Sequence, residues 1–389
     1  MMGKLKIGVF GLWRGMEYVR QFHALPDTEI WAVCDSDEAR VADAVKHCGS
    51  QIQVCKTYDE LLQSGIDAVV LCNYFCEHAP AAIRAMEHGI DVLSECTAAI
   101  TLRECVELVE AVERTGRKYM LAENYPFSRP MREITNLVQG GTLGRILYAE
   151  GEYNHSATRE DLIALTPGKY HWRAYMPRTY YCTHALGPLM YATGEMPVSV
   201  SAYAVHSDVL YQYDDVRHNY DAIGMMTCVT DDGALLRFTG CTAMGSRSGY
   251  RIVGENGSAE TGRAAGEDVY LTYQPWLIPE GKSASQLYAP NVPEPANGAG
   301  HGGGDYFVAT HFANCLKGEE EPFFNVYRAV AMSAAGILGW RSCLENGRPY
   351  RIPDFRDPAQ REPLRADDLS PFPDADGNVT LPCALPIQK

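Results

Sequence analysis

The sequence predicts a two-domain α/β protein: an amino-terminal doubly wound parallel sheet, then an α+β domain on a large, open, mostly antiparallel sheet. Three observations carry this. The first third of the chain alternates short strands that are apolar almost throughout with helical stretches, the pattern of a parallel sheet covered on both faces. From about residue 145 the strands alternate residue by residue instead, as in a sheet with one covered face. The length, 389 residues, suits about two domains of ordinary size.

In chain order, the first strands are "KIGVF" (6–10), "EIWAVC" (29–34), "DAVVLC" (67–72), "DVLSE" (91–95) and "KYMLAE" (118–123). Ala79 to His88 reads as a helix with Ile83 and Met86 on one face, stopped by Gly89. Thr101 and Glu104 form a capping box ahead of Val106, Val109 and Val112, and Gly116 closes that helix. The alternating strands are "RILYAEGEYNH" (145–155), "VSVSAYAVH" (198–206), "AIGMMTCVT" (222–230), "ALLRFTG" (234–240) and "YRIVG" (250–254), with turns at "DDG" and "ENG". Helical patterns around 305–317 and 324–346 would pack on this second sheet. The final stretch, rich in proline and charge, reads as an extended arm. The expected divisions are thus residues 1–122, 123–350 and 351–389. No repeat is present, and "NGAGHGGGD" (297–305) is the only low-complexity patch.

Composition narrows the function classes. A net charge of -15 leaves no broad basic surface for phosphates, which argues against nucleic acid as a partner. No apolar run approaches the ~20 residues of a membrane span, so no membrane partner is expected. The first residues enter a strand at once, without the apolar run and cleavage site of a secretory leader. Thirteen cysteines, an odd number without a CxxC pair and often inside apolar runs, read as reduced buried thiols and point to the cytoplasm.

The loop after the first strand, "GVFGLWRGMEY", stands where a dinucleotide fingerprint would place GxGxxG, whose glycines let backbone amides and a helix N-terminus approach a pyrophosphate. Gly11 fits; Trp13 and Met16 occupy the later glycine positions, or the loop is one residue short before Gly15. Asp35, ending the second strand, is placed to accept hydrogen bonds from an adenosine ribose and to repel a 2′-phosphate, which favours NAD over NADP. Its alternative is a helix cap. Ligands of such sheets lie beyond the carboxyl ends of the strands. That rule nominates Gly11 to Gly15, Trp13 and Arg14 among them, Asp35, Asn73 with Tyr74, Glu95, and Glu123 with Asn124. Glu95 would face the nicotinamide end, with a generic loop carboxylate as the alternative.

Taken together, "H..A..AMEHGIDVLSE", "AENYPFSRPM", "GTLGRILYAEGEY" and "GHGGGDYF" resemble the Gfo/Idh/MocA oxidoreductase family over about residues 5 to 355. The resemblance implies an amino-terminal Rossmann domain and a carboxy-terminal domain whose open sheet packs against another subunit, hence a homodimer or homotetramer. Dehydrogenases of that family usually carry Glu-Lys-Pro after the fourth strand. Here the residues are Glu95, Cys96 and Thr97, so the lysine is missing. Trp172-Arg173 and then Tyr181, Thr183 and His184 ahead of "ALGPL" resemble the WR and YxTHxLGP segment of one branch, the NAD-dependent glycosidases, familiar as α-N-acetylgalactosaminidases. A glutamate matching Glu123, a tyrosine matching Tyr153, and a GHGGxD loop matching His301 and Asp305 belong to the same resemblance. It implies His78, Trp172 and Arg173 as cofactor residues, and Tyr125 and His301 as substrate residues.

On that resemblance the chemistry is assigned as follows. Imidazole can take and return a proton near neutral pH, so His184 would take the C3 hydroxyl proton of a bound sugar during oxidation by NAD. The resulting ketone makes the C2 hydrogen acidic, Tyr181 or His184 would stabilise the enolate, and Tyr153 or Glu123 would remove the C2 proton. The C1 substituent leaves, water adds, and the hydride returns, with no need for two carboxylates flanking C1. Structural alternatives are packing for Tyr153, cofactor orientation for Glu123 and a helix cap for His184. The spacing of His155, His171 and His301 resembles no metal-ligand motif, and no metal is expected. A sugar or cyclitol dehydrogenase with His184 as base, and a non-catalytic sensor, are the competing readings.

Overall fold

The structure, a computed structural model, describes residues 3–168, 170–207, 218–242, 245, 247–262, 268–292 and 299–385. Asn297 and Gly298, which head the glycine-rich patch, lie outside these. The chain divides into two compact units. One comprises Met1–Asn124, Pro295–Val330 and Phe355–Asp367, the other Tyr125–Glu294, Ala331–Asp354 and Asp368–Lys389. These units do not follow contiguous divisions at residues 122 and 350, because the chain returns to the first unit twice.

The first unit is built on β1 (Leu5–Phe10), β2 (Thr28–Cys34), β3 (Gln53–Cys55), β4 (Ala68–Leu71), β5 (Asp91–Ser94) and β6 (Tyr119–Leu121). They form one sheet in the order β3-β2-β1-β4-β5-β6, with every pair parallel. That is the doubly wound order, with its switch point between β1 and β4. All four residues of β4 are buried, as a central parallel strand requires. The edge strand β3, two of whose three residues are exposed, has no apolar run to announce it. Helices α1 (Leu12–Ala24), α2 (Glu38–Cys48), α3 (Tyr58–Leu62), α4 (His78–Glu87) and α5 (Leu102–Thr115) connect the strands.

The Thr101 hydroxyl accepts from the Glu104 amide at 3.0 Å, and Gly116 ends α5 in the left-handed region at φ 65°. The Glu104 carboxylate reaches the Ile100 amide at 2.7 Å, one residue ahead of the cap, which shifts the reciprocal half of the expected box. Burial pushes this carboxyl up to about 7.

The second unit carries α6 (Arg129–Gln139), α7 (Arg159–Leu165), α8 (Trp172–Tyr175), α9 (Thr183–Thr193) and the strands β7 (Ile146–Asn154), β8 (Pro197–His206), β9 (Asp221–Thr230), β10 (Leu235–Thr242), β11 (Arg247–Gly254), β12 (Gly257–Thr261), β13 (Val269–Tyr273), β14 (Ser285–Tyr288) and β15 (Tyr350–Arg351). The sheet order is β14-β13-β12-β11-β7-β10-β9-β8-β15. The β8-β9-β10 meander ends with β10 lying parallel to β7, while the other neighbours run antiparallel. Burial alternates residue by residue along β9 from Ala222 to Thr230, which gives that sheet one covered face and one open face.

Two stretches belong elsewhere than the sequence suggests. The glycine-led helix α10 (Gly304–Lys317) is part of the first unit and not of the second, and in the first Phe312 meets Phe22 of α1 edge-on at 6.3 Å. The next helix, α11 (Val326–Leu344), passes into the second unit at Ala331 and is apolar nearly all round, as a buried helix must be. The charged tail is tied down in both units. In the first, it includes α12 (Pro358–Arg361), and Arg361 and Arg365 pair with Glu113 and Glu110 of α5. In the second, the Pro382 carbonyl accepts from the indole of the fully buried Trp340 at 2.8 Å. Among the described residues, no helix is long and apolar enough to cross a membrane.

Candidate active site

The carboxyl edge of the first sheet explains its own sequence. Gly11 follows β1 at φ 86°, and a Cβ there would lie 2.5 Å from the Cys72 carbonyl oxygen, so the turn admits only glycine. The next residue already opens α1. Inside that helix a Cβ on Gly15 would lie 2.7 Å from Val9 Cγ1. Gly15 therefore supplies the close helix–strand packing of a fingerprint's last glycine, in a loop one residue shorter than GxGxxG. Trp13 stands near the middle position and is 59% exposed.

Asp35 is not the cap of α2; Asp37 is, accepting from the Ala39 and Arg40 amides. The Asp35 carboxylate instead accepts from the Leu12 amide at 2.5 Å and the Asp37 amide at 2.8 Å, which fastens it to the Gly11 loop. Beyond β4, both polar atoms of the Asn73 side-chain amide are buried without a hydrogen-bond partner among the described residues. His78 is buried, with Nδ1 2.9 Å from the Thr97 carbonyl and Nε2 3.3 Å from the Asn73 carbonyl. Burial lowers its pKa, so the ring stays neutral and bridges the loops after β4 and β5.

Glu95 accepts from Arg14 Nε at 2.9 Å and, through its other oxygen, from the Cys96 amide at 3.2 Å. The remaining Arg14 nitrogens bind Asp305, whose side chain is fully buried. Asp305 also accepts from Asn124 Nδ2 at 2.7 Å and faces His301 Nδ1 at 2.8 Å. Burial alone would push the Asp305 carboxyl up, but the His301 hydrogen bond and the Arg14 charge hold it well below the usual carboxylate range. The same hydrogen bond raises the His301 pKa. Glu123 is fully buried beyond β6 and accepts from the Cys96 thiol at 3.4 Å. Asp305 is the hub that site selection from the sequence omits. Its only signal is the GHGGGD loop, and nothing local connects residue 305 to residue 14.

The second unit holds a separate cluster. The Tyr181 hydroxyl lies 2.8 Å from His184 Nε2. The Tyr153 ring meets the His184 ring edge-on at 4.8 Å, and the Tyr125 ring lies against it at 4.4 Å. His184 is 5% exposed and Tyr153 is 8% exposed. The four side chains come from β7, the segment before α6, the turn before α9 and the first turn of α9. His184 lies within α9 with no capping role, since Cys182 is the N-cap residue. Trp172 and Arg173 open α8, the guanidinium over the indole at 4.5 Å. They belong to the second unit and not to the strand-edge set. Beside them, burial and the Arg173 charge push the His171 imidazole down to about 4. His155 is exposed at the end of β7, its ring 5.9 Å from Tyr153.

The strand-edge residues fit a dinucleotide. Gly11 lets the turn after β1 pass close over the Cys72 carbonyl and lead directly into the N-terminus of α1, where a dinucleotide's phosphates bind, and the Asp35 carboxylate accepts from the Leu12 amide of that turn. The Asn73 amide and the Asn124 Oδ1 are buried polar groups without a partner among the described residues, as a nicotinamide or ribose would require.

Comparison with known proteins agrees. Residues 5–123 match a family profile described as "Oxidoreductase family, NAD-binding Rossmann fold". Residues 131–260 match "GFO/IDH/MocA C-terminal domain" and residues 286–360 match "Glycosyl hydrolase 109, C-terminal domain". An "Alpha-N-acetylgalactosaminidase" of Shewanella oneidensis is 26% identical over 91% of this chain and 85% of its own length. A "Glycosyl hydrolase family 109 protein" of Stenotrophomonas maltophilia is 25% identical over 94% and 92%. Among solved structures, levoglucosan dehydrogenase in complex with NADH has a TM-score of 0.76 at 16% identity, covering 90% of this chain and 100% of that one. Aldose-aldose oxidoreductase from Caulobacter crescentus has a TM-score of 0.71 at 19% identity, with the same coverage. At such identities the structural likeness concerns the fold.

Proposed function

The chain belongs to the Gfo/Idh/MocA oxidoreductase family, and on that footing we propose that it is an NAD-dependent glycosidase that cleaves its substrate by way of transient oxidation at C3. It is an enzyme. The observation that carries the reading is the Tyr181–His184 pair with Tyr153 and Tyr125 against it, in a chain that lacks the dehydrogenase lysine beside Glu95.

Gly11, Trp13, Arg14, Asp35, Asn73, Glu95 and Asn124 would hold NAD, with His78 positioning the loops. NAD held there would supply reversible hydride acceptance at C3 of the sugar, so the net reaction would be hydrolysis. His184, hydrogen-bonded to Tyr181, takes the C3 hydroxyl proton and gives it back at the end. Once C3 is at the ketone level, Tyr153 or Glu123 removes the C2 proton, and Tyr181 donates toward the enolate oxygen. The C1 substituent then departs and water adds. Tyr125 and His301 would serve as sugar-binding residues, and Trp172 and Arg173 as further cofactor-binding residues. Elimination needs only a leaving group β to the ketone, so both anomers are substrates.

The test is to incubate the purified protein, without added NAD, with a panel of nitrophenyl α- and β-glycosides in deuterated water. Cleavage with deuterium at C2 of the product, and release of NAD on denaturation, are the expected results. Protium retained at C2 would replace elimination by direct displacement. Stoichiometric reduction of added NAD without cleavage would make the chain a sugar dehydrogenase.

The open face of the second sheet exposes Tyr203, Val205, Ile223, Met225 and Leu235, side chains that cost free energy in water and find cover in a second copy. A homodimer or homotetramer is therefore proposed. Sedimentation should give a multiple of 43.0 kDa, and Val205→Glu should reduce it; a monomeric wild type would refute the assignment.

A further inference from the structure

Helix α9 contains a proline, Pro188, in its interior. In an α-helix the amide of residue i bonds the carbonyl of residue i−4, so position 188 should serve the carbonyl of His184. Proline has no N–H to give. A buried carbonyl deprived of its helical donor requires another one.

That donor comes from the sheet. The Tyr250 hydroxyl on β11 donates to the His184 carbonyl at 2.6 Å. Tyr250 is 5% exposed and stands directly opposite Gly151 of β7 in the strand register. A Cβ on Gly151 would lie 2.1 Å from the Ala185 carbonyl oxygen, so the first turn of α9 rests on the strand only because that side chain is missing. Glycine opens the seat, and the neighbouring tyrosine fastens the backbone at residue 184.

We infer that Tyr250 is a positioning residue for His184: its hydroxyl replaces the amide that Pro188 lacks and thereby sets the direction of the imidazole. The carbonyl is held from β11, and Nε2 of the same residue meets Tyr181 at 2.8 Å. Backbone and ring are thus fixed by two different tyrosines. The inference rests on the reading of His184 as the proton-transfer group, but the hydrogen-bond substitution can be tested separately.

The experiment compares wild type, Tyr250→Phe, Pro188→Ala and the double variant. Removing the hydroxyl should lower kcat about tenfold with KM little changed, because the ring loses its aim while the sugar contacts stay. Adding Pro188→Ala to Tyr250→Phe supplies a helical amide for the orphaned carbonyl and should restore kcat to within about threefold of wild type. An unchanged kcat in Tyr250→Phe, or no recovery in the double variant, overturns the assignment.

Thermal midpoints of the same four proteins give the second readout, which needs no substrate. Pro188→Ala should add more degrees in the Tyr250→Phe background than in wild type; equal gains overturn the substitution. If wild type cleaves no glycoside, the functional reading falls while the thermal cycle still decides this one. Should Tyr250→Phe fold only together with Pro188→Ala, that dependence supports the assignment, and a double variant that does not fold refutes it.

Discussion

His184→Ala is expected to lower kcat for glycoside cleavage by about 10²–10⁴-fold, the range associated with removal of a positioned general acid–base group. The loss should be at the top of that range, because the same imidazole takes a proton at the start of the cycle and returns it at the end. Deuterium incorporation at C2 should fall in parallel, since C2 becomes acidic only after C3 is oxidised. Bound NAD should be retained, because the residues proposed to hold its dinucleotide at the strand edge lie in the first unit and are untouched. His184→Gln separates chemistry from packing. It fills most of the space and can still bond Tyr181, so its stability should stay near wild type while its kcat falls as far as that of the alanine variant. Tyr181→Phe should cost less, because it removes the enolate donor and a partner of the base but leaves the base itself. Cleavage at the wild-type rate by His184→Ala would take the imidazole out of the reaction.

His184 was singled out through the resemblance of its segment to YxTHxLGP, and the hydrogen-bond partner found for it, Tyr181, lies three residues away on one turn of chain. The doubly wound sheet was legible because a strand such as Ala68–Leu71, buried along its whole length, leaves an uninterrupted apolar run. Short edge elements leave none. Strands β3 and β12 to β14 went unread: β3 is exposed at two of its three residues, β12 is mostly small residues, and β14 has no buried residue. The glycine loop was half legible. Gly11 could be assigned from position, but that Gly15 does the work of the last fingerprint glycine follows only from its contact with Val9. Helix α10 was found, yet its pattern says which face is apolar and not which sheet will cover it. The cluster around Tyr153 likewise needed the packing of α9 on Gly151. Least legible was the charge network of the first unit, whose central pair is separated by 291 residues.

That network yields the largest expected effect on stability. Asp305→Ala should destabilise the first unit by about 3–5 kcal/mol, read as a lowered urea midpoint, because it leaves the Arg14 guanidinium largely buried without its bidentate carboxylate. Glu95 remains as a partner for Nε but cannot serve the other two nitrogens, and Asn124 and His301 lose their acceptor as well. Removing both charges should cost less than removing one. Arg14→Met with Asp305→Leu is therefore expected to be more stable than Asp305→Ala, since no guanidinium is left without its carboxylate; Glu95, 13% exposed, loses its arginine partner but keeps the Cys96 amide, which reduces the gain without reversing it. The pH dependence follows from the two shifts. The Asp305 pKa is depressed by folding, so its contribution is fully present above the ordinary carboxylate value of about 3.9 and is lost as pH falls through the lower folded value. The His301 pKa is raised, so its contribution is fully present below about 6.5 and is lost as pH rises through the higher folded value. The stability gap between wild type and Asp305→Ala should thus be wider at pH 5 than at pH 9, where the Arg14 pair persists but the imidazolium is gone. A gap that is the same at both would show that His301 gains nothing from Asp305 on folding, and a gap near zero at both would show that the buried arginine does not depend on this carboxylate.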